Sequence, residues 1–282
     1  MLDISKKIDK FNLEILIKIK EIADNLRIDF FIVGATVRDM ILNYVYGITI
    51  YRRTNDIDFA VRVNNWKEYD RLTSEIEEAG FAKSERIKHR YSYKGMILDF
   101  IPFGGISTKE DTITWPYDKD NKEMNVIGFD DAFVSTEDIL IQTEPDIIVK
   151  AASIEGLAML KIISWNDRAI DKRIKDARDL YLILTTYLQA GNDDRLFAEH
   201  TDIIEMAIDY ELTGAILLGR DIAVTASDKV KSILLEILND DKLNKLADGM
   251  SQYEGLSFEK DETKDKCLVL LKNLRMGLED KK

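Results

Sequence analysis

Three short apolar runs constrain this chain most, because each carries a group that such runs rarely hold. Phe30-Phe31-Ile32-Val33 stops at Gly34, Asp56-Ile57-Asp58 opens onto Phe59-Ala60-Val61, and Met96-Ile97-Leu98 and Phe100-Ile101 enclose Asp99. Four apolar residues ahead of a glycine read as a short buried strand. Val37, Met40 and Ile41 then recur at helical spacing, so Gly34 marks a strand-to-helix turn with Thr36 near the helix start. Free N–H groups at a helix start attract phosphate, and a glycine there lets a ligand approach the backbone. The plainer reading is a simple turn with Thr36 as a capping residue.

Side chains two apart in a strand leave by the same face, so Asp56 and Asp58 aim two carboxylates at one point. Like charges that close repel and are costly to desolvate unless a cation lies between them. Hard oxygen donors of this kind suit Mg²⁺, the usual partner of phosphate chemistry. The alternative is a solvated strand edge. Alternation places Asp99 on one face with Ile97 and Ile101, where an unpartnered charge is poorly accommodated. Three carboxylates on one site would provide what two-metal phosphoryl transfer requires.

A second cluster lies on predicted helices. Ser153 is a good N-cap for a helix through Trp165, and Lys161 sits among apolar neighbours, either snorkelling outward or reaching a buried anion. Asn166-Asp167-Arg168 follows, and then a helix containing Lys175-Asp176-Ala177-Arg178-Asp179, whose charged side reads either as a solvated face or as functional. The stretch Lys83–Lys94 alternates Ile87, His89, Tyr91 and Tyr93 with Lys88, Arg90 and Ser92. It predicts a strand with one basic side, either a charge-protected edge or a surface for single-stranded RNA.

With Gly34-Ala35-Thr36, Asp56-Ile57-Asp58 and Asp99 in this order, the chain resembles the polymerase-β-type nucleotidyltransferase superfamily over roughly residues 25–190. The Lys161…Asp167-Arg168…Lys175-Asp176 segment makes it most similar to bacterial abortive-infection AbiE-type toxins. It departs from many superfamily members in having Gly34-Ala35 where a Gly-Gly or Gly-Ser stands, with a hydroxyl still present at Thr36. Val37-Arg38-Asp39 also resembles the turn of tRNA CCA-adding enzymes, without their later motifs.

The resemblance implies that Asp56, Asp58 and Asp99 hold two Mg²⁺ ions, with Asp99 also near the acceptor hydroxyl. Gly34 and Thr36 would bind the β- and γ-phosphates, and Arg38, Arg53 and Thr54 would complete the NTP site. Lys161 would contact the triphosphate, and Asp176 would be an additional active-site or orienting acid. The implied reaction moves a nucleoside monophosphate from an NTP to a hydroxyl and releases pyrophosphate. The implied acceptor is tRNA or another RNA, and the implied partner is an antitoxin protein. A small-molecule acceptor, as in antibiotic-modifying relatives, is the enzymatic alternative; a non-catalytic nucleotide- or partner-binding module is the other.

The bulk properties set limits. A net charge of −12 argues against a broad nucleic-acid binder and leaves room for a local basic groove. The single Cys267 excludes intrachain disulfides and suits a cytoplasmic protein. No run has the length or apolarity of a membrane span, and no signal-peptide core opens the chain.

The expected architecture is α+β. A small mixed nucleotidyltransferase sheet flanked by helices occupies residues 1–152, and a helical domain occupies 153–282 and completes a cleft. Within it, residues 5–26 predict a leading helix, and Asn64-Asn65 cap a helix that runs to Gly80. Thr112–Asp131 reads as a surface loop, and residues 139–150 as a hairpin. Leu212–Leu238 and Lys266–Leu278 predict long helices, Ser251–Lys264 a polar loop, and Lys281-Lys282 a frayed tail.

Overall fold

The computed structural model describes residues 1–51, 54–116, 122–206, 209–253 and 260–280. It is α+β, with a mixed sheet and a helical carboxyl-terminal part, as expected from the sequence. The chain divides into two compact units: Met1–Val45 with Arg52–Ala152, and Tyr46–Tyr51 with Ser153–Lys282.

The first unit is built on an eight-stranded sheet in the order β1-β9-β10-β2-β3-β6-β5-β4. The strands are β1 (Leu2–Asp3), β2 (Asp29–Val33), β3 (Asp56–Val63), β4 (Ala82–Lys83), β5 (Arg90–Tyr93), β6 (Met96–Gly104), β9 (Glu137–Gln142) and β10 (Ile147–Ala151). β7 (Thr112–Thr114) and β8 (Glu123–Asn125) form a separate pair within the segment read as loop. The parallel pairing of β3 with β6 needs a crossover, and α3 (Trp66–Glu78) supplies it. Asn65 caps α3 by accepting from the Glu68 N–H at 3.1 Å, and Glu68 reaches back to the Asn64 N–H at 2.9 Å, a reciprocal cap.

One sheet face carries Phe59, Phe100 and Tyr91. Phe59 and Phe100 stack at 5.0 Å, and the Tyr69 hydroxyl from α3 donates to the Phe100 carbonyl at 2.8 Å. α1 (Lys10–Leu26) lies on this side, with Phe11 stacked on Tyr93. On the opposite face, Phe31, Phe103 and Phe133 cluster where α4 (Phe129–Val134) packs, and Arg62 lies 5.1 Å from the Phe133 ring. The acids lie on this second face.

Further local expectations need correction. The leading helix starts at Lys10 rather than Ser5, because Asp9 takes the N-cap and accepts from the Phe11 and Asn12 N–H groups; residues 2–3 instead pair with β9. The basic strand over 83–94 is broken into β4 and β5. Ser84 turns the chain between them by accepting from the Arg86 and Ile87 N–H groups at 3.3 and 3.2 Å.

The second unit is helical: α5 (Ile154–Asp167), α6 (Ile170–Thr186), α7 (Asp193–Ala198), α8 (Thr201–Met206), α9 (Tyr210–Thr225), α10 (Asp228–Ile237), α11 (Asp240–Met250) and α12 (Lys260–Glu279). The single helix expected over 212–238 is two, because Ser227 is extended and caps α10 through the Val230 N–H. Part of the expected polar loop after Ser251 lies outside the described residues, as do Lys281-Lys282. The short Tyr46–Tyr51 segment belongs here for a packing reason. The Tyr51 ring stands edge-on to Tyr253 at 6.2 Å, and the Tyr46 ring presses on Gly191, where a Cβ would lie 2.9 Å from the ring.

α9 and α12 cross closely at two glycines. A Cβ on Gly277 would lie 2.9 Å from the Ile216 carbonyl carbon and overlap its oxygen, and a Cβ on Gly219 would meet the α12 backbone. Gly277→Ala gains helix propensity of about 1 kcal/mol. Overpacking against an immovable backbone costs more, about 1–3 kcal/mol. The expected net result is a melting temperature lowered by several degrees, measured by calorimetry.

Candidate active site in the sheet unit

Register gathers the acids. Asp58 pairs with Asp99 across β3 and β6, and Asp99 pairs with Arg90 across β6 and β5. Directly opposed residues share a sheet face, so Asp58, Asp99 and Arg90 form one row. Asp56 stands two residues along β3 on the same face.

Gly34 fixes the place of Asp58. Its φ is +77°, open to glycine without strain, and a Cβ there would overlap the Asp58 carboxylate, lying 3.1 Å from its carbon. The glycine is therefore needed both for the turn and for the approach of the acid. Gly34→Ala combines backbone strain with displacement of Asp58, and should lower stability by about 1–3 kcal/mol in urea denaturation.

α2 (Gly34–Arg38) begins at this glycine without a side-chain cap. Thr36 lies inside the first turn instead of capping it, and its hydroxyl donates to the Asp56 carbonyl at 2.6 Å. It holds the start of β3 rather than projecting freely. Arg38 is 4% exposed and donates through Nε to Asp39 at 2.8 Å, so its charge is directed into the unit. Asp39 in turn accepts from the Thr54 N–H at 3.4 Å, and the Thr54 hydroxyl donates to Asp56 Oδ1. Arg38, Asp39, Thr54 and Asp56 thus form a continuous chain that orients the first acid. Arg53 lies outside the described residues. A cavity of about 220 Å³ opens beside Asp56, bordered also by Asp9, Asn12, Asp39 and Thr54.

Asp99 is 6% exposed. Arg90 donates to both its oxygens, Nε to Oδ1 at 2.8 Å and Nη2 to Oδ2 at 2.7 Å. The hydrogen bonding to Asp99 raises the Arg90 pKa above its ordinary value, and the charges of Asp99, Asp58 and Asp56 add to the effect. The guanidinium therefore senses all three acids. His89, which stacks near Trp115 at 6.0 Å, has its pKa lowered by burial; the Asp99 charge opposes that shift and Arg90 reinforces it. Arg90 is the residue that sequence reading missed as a site member. Its signal was present, since alternation had placed it on the basic side of its segment, but the register that brings it to Asp99 is not readable from one strand.

A divalent cation can be tested against this donor set. Asp56 and Asp58 offer acceptor-only oxygens on one face, which suits a hard ion. Asp99 is on the same face with both oxygens already accepting from Arg90. Among the described residues, no three His, Cys, Asp or Glu side chains converge as a ready ligand set. The fit is thus to the Asp56–Asp58 pair.

In the helical unit, Lys161 and Asp176 do come together. The Lys161 ammonium lies 3.0 Å from Asp176 and 2.6 Å from Asp179, all three buried. Arg168 donates to the other Asp176 oxygen at 2.9 Å. Burial alone would lower the Lys161 pKa, but the charges of Asp179 and Asp176 outweigh it and raise the pKa. Asp179 was also missed; its signal was the three-residue spacing from Asp176 on one helix.

The profile described as nucleotidyl transferase AbiEii toxin, type IV TA system, matches residues 20–254. This chain belongs to the AbiEii family. The AbiEii chain is accordingly a nucleotidyltransferase, of a family classed with toxin–antitoxin systems. A search of the curated proteins gives no match. Among solved structures, the AbiEii chain is similar to the solution structure of antibiotic-resistance factor ANT(2'')-Ia, at 15% identity and TM-score 0.39, covering 71% of this chain and 97% of that one. It is also similar to the crystal structure of ANT(2'')-Ia in complex with adenylyl-2''-tobramycin, at 16% identity and TM-score 0.38, covering 66% and 99%. No helix among the described residues of the AbiEii chain is long and apolar enough to cross a membrane.

Proposed function

We propose that this chain transfers a nucleoside monophosphate from an NTP to a hydroxyl of an RNA, tRNA included, in a Mg²⁺-dependent reaction that releases pyrophosphate. The observation that carries the reading is the row of Asp58 and Asp99 on adjacent strands, with Asp56 on the same face and Gly34 against Asp58. Bound Mg²⁺ would neutralise charge on the phosphates and on the attacking and leaving oxygens.

The residues supply alignment and charge, which is most of what phosphoryl transfer needs. Asp56, held by Thr54, and Asp58, held against Gly34, would present fixed oxygens to the cation. The first turn after Gly34 would receive the β- and γ-phosphates on its N–H groups. Thr36, with its hydroxyl on Asp56, and Arg38, with its charge on Asp39, would act by positioning rather than by direct contact. Asp99 would accept the acceptor's proton once an oxygen is free of Arg90. Lys161, buried between Asp176 and Asp179, would act by holding the helical unit together rather than by touching the triphosphate. A toxin role would pair the chain with an antitoxin in the cytoplasm.

The test is incubation with each α-labelled NTP and total cellular RNA: label should appear in RNA, with equal pyrophosphate. One observation favours a second reading. The net charge of −12 suits a small-molecule acceptor better than a polyanion. A salt titration separates them, since an RNA acceptor should lose activity steeply with salt and a small acceptor little.

A further inference from the structure

Asp99 has a resident partner of matched shape. A guanidinium donating in parallel to both carboxylate oxygens is the strong form of this pair. The burial is unequal: the Asp99 side chain is 9% exposed and the Arg90 side chain 35%. The acid is anchored inside the unit, and the arginine is its solvent-facing half. The row across β3, β6 and β5 therefore reads acid, acid, cation, and the cation donates to the acid farther from β2. Among the described residues no guanidinium clasps Asp56, whose Oδ1 takes the Thr54 hydroxyl.

We propose that Arg90 competes with divalent cations for Asp99, so that the free chain binds such an ion through Asp56 and Asp58 alone and recruits the third carboxylate only when Arg90 releases it. The inference rests on the Asp56–Asp58 cation site proposed above and adds the residue that sets its affinity. Arg90 is a positioning residue here, acting through Asp99. Its charge does not titrate near neutral pH, so only displacement frees the acid. A guanidinium beside three carboxylates also opposes a second cation through space, and the experiment has to separate that effect from the direct clasp.

The probe is Mn²⁺ alone, titrated into the full chain without nucleotide and followed by electron paramagnetic resonance of the free ion. Asp99→Asn should weaken Mn²⁺ by less than about tenfold, through the loss of one nearby charge and not of a ligand. Arg90→Gln should tighten binding by about tenfold, and Arg90→Gln with Asp99→Asn should lose that gain. Arg90→Lys keeps the charge but not the fork, and should tighten binding by a smaller factor; it carries the test if Arg90→Gln fails to fold. The inference is overturned if Asp99→Asn alone weakens Mn²⁺ by about tenfold or more, because Asp99 would then already be a ligand. It is equally overturned if Arg90→Gln leaves binding unchanged, or if the double variant keeps the gain, which would mark a through-space effect only. Asp56→Asn separates the two levels: binding that survives it defeats the underlying cation site, whereas a retained gain in the double variant defeats the role of Arg90 alone.

Discussion

Asp56→Asn is expected to reduce nucleotidyl transfer by about 10³-fold or more while leaving the fold intact. The size follows from what the acid would do. A divalent ion on the transferring phosphate supplies several kcal/mol of transition-state stabilisation, and each 1.36 kcal/mol is about a factor of ten in rate. Asparagine is nearly isosteric and keeps an oxygen for the Thr54 hydroxyl, so the local chain from Arg38 through Asp39 persists. Removing one of two neighbouring like charges relieves repulsion, so the melting temperature should stay within about 2 °C of the parent. Parallel rate and calorimetric measurements check both halves. A rate within tenfold of the parent defeats the assignment, and a large fall in melting temperature turns Asp56 into a structural residue.

The largest stability effect is expected at Lys161. Lys161→Met places a side chain of similar length among apolar neighbours but strips Asp176 and Asp179 of the charge between them. Removing one partner of a buried ion pair costs about 3–5 kcal/mol, because the remaining charge stays desolvated. Here two carboxylates remain, and Arg168 donates to Asp176 at 2.9 Å. A fall in melting temperature on the order of 10 °C should follow. The pH dependence has a definite sign. The folded-state pKa of Lys161 is raised above its ordinary 10.5, so its contribution is complete below that value and is lost only as pH rises through the raised one. The contribution of the lysine itself is therefore constant across neutral pH, and any pH dependence of the deficit comes from the stranded carboxylates of the variant, which take up protons as pH falls and so reduce it. A small deficit at pH 7 would show that the lysine is not buried charged between the two acids.

The sheet was legible wherever one face is buried. Alternation in Asp56–Val63 and Met96–Phe103 gives the correct faces, and the Asn65 cap and Gly80 bound α3 as read. Register was not legible, because a single strand does not name its partner. That is why Arg90, placed correctly on a basic side, could not be linked to Asp99 before the β5–β6 pairing was known. Hydroxyl partners were misread for a related reason. Thr36 was read as a cap or a phosphate ligand and Thr54 as part of the NTP site, and both hydroxyls are engaged in orienting Asp56. Arg38 looked like a phosphate cation, and its burial against Asp39 depends on an acid that immediately follows it. In the helical unit, the apolar wrap of α5 already required Lys161 to find an anion or an exit; the second acid, Asp179, needed the helix phase as well.

The central claim is that the Asp56–Asp58 face of β3 is the centre of nucleotidyl transfer. The direct measurement is transfer of α-labelled nucleotide into cellular RNA by the parent chain and by Asp56→Asn, each with Mg²⁺ and with a chelator. Label should enter the acceptor only with the parent chain and only with the metal, accompanied by pyrophosphate. Equal labelling by Asp56→Asn, or labelling that persists in the chelator, would contradict it.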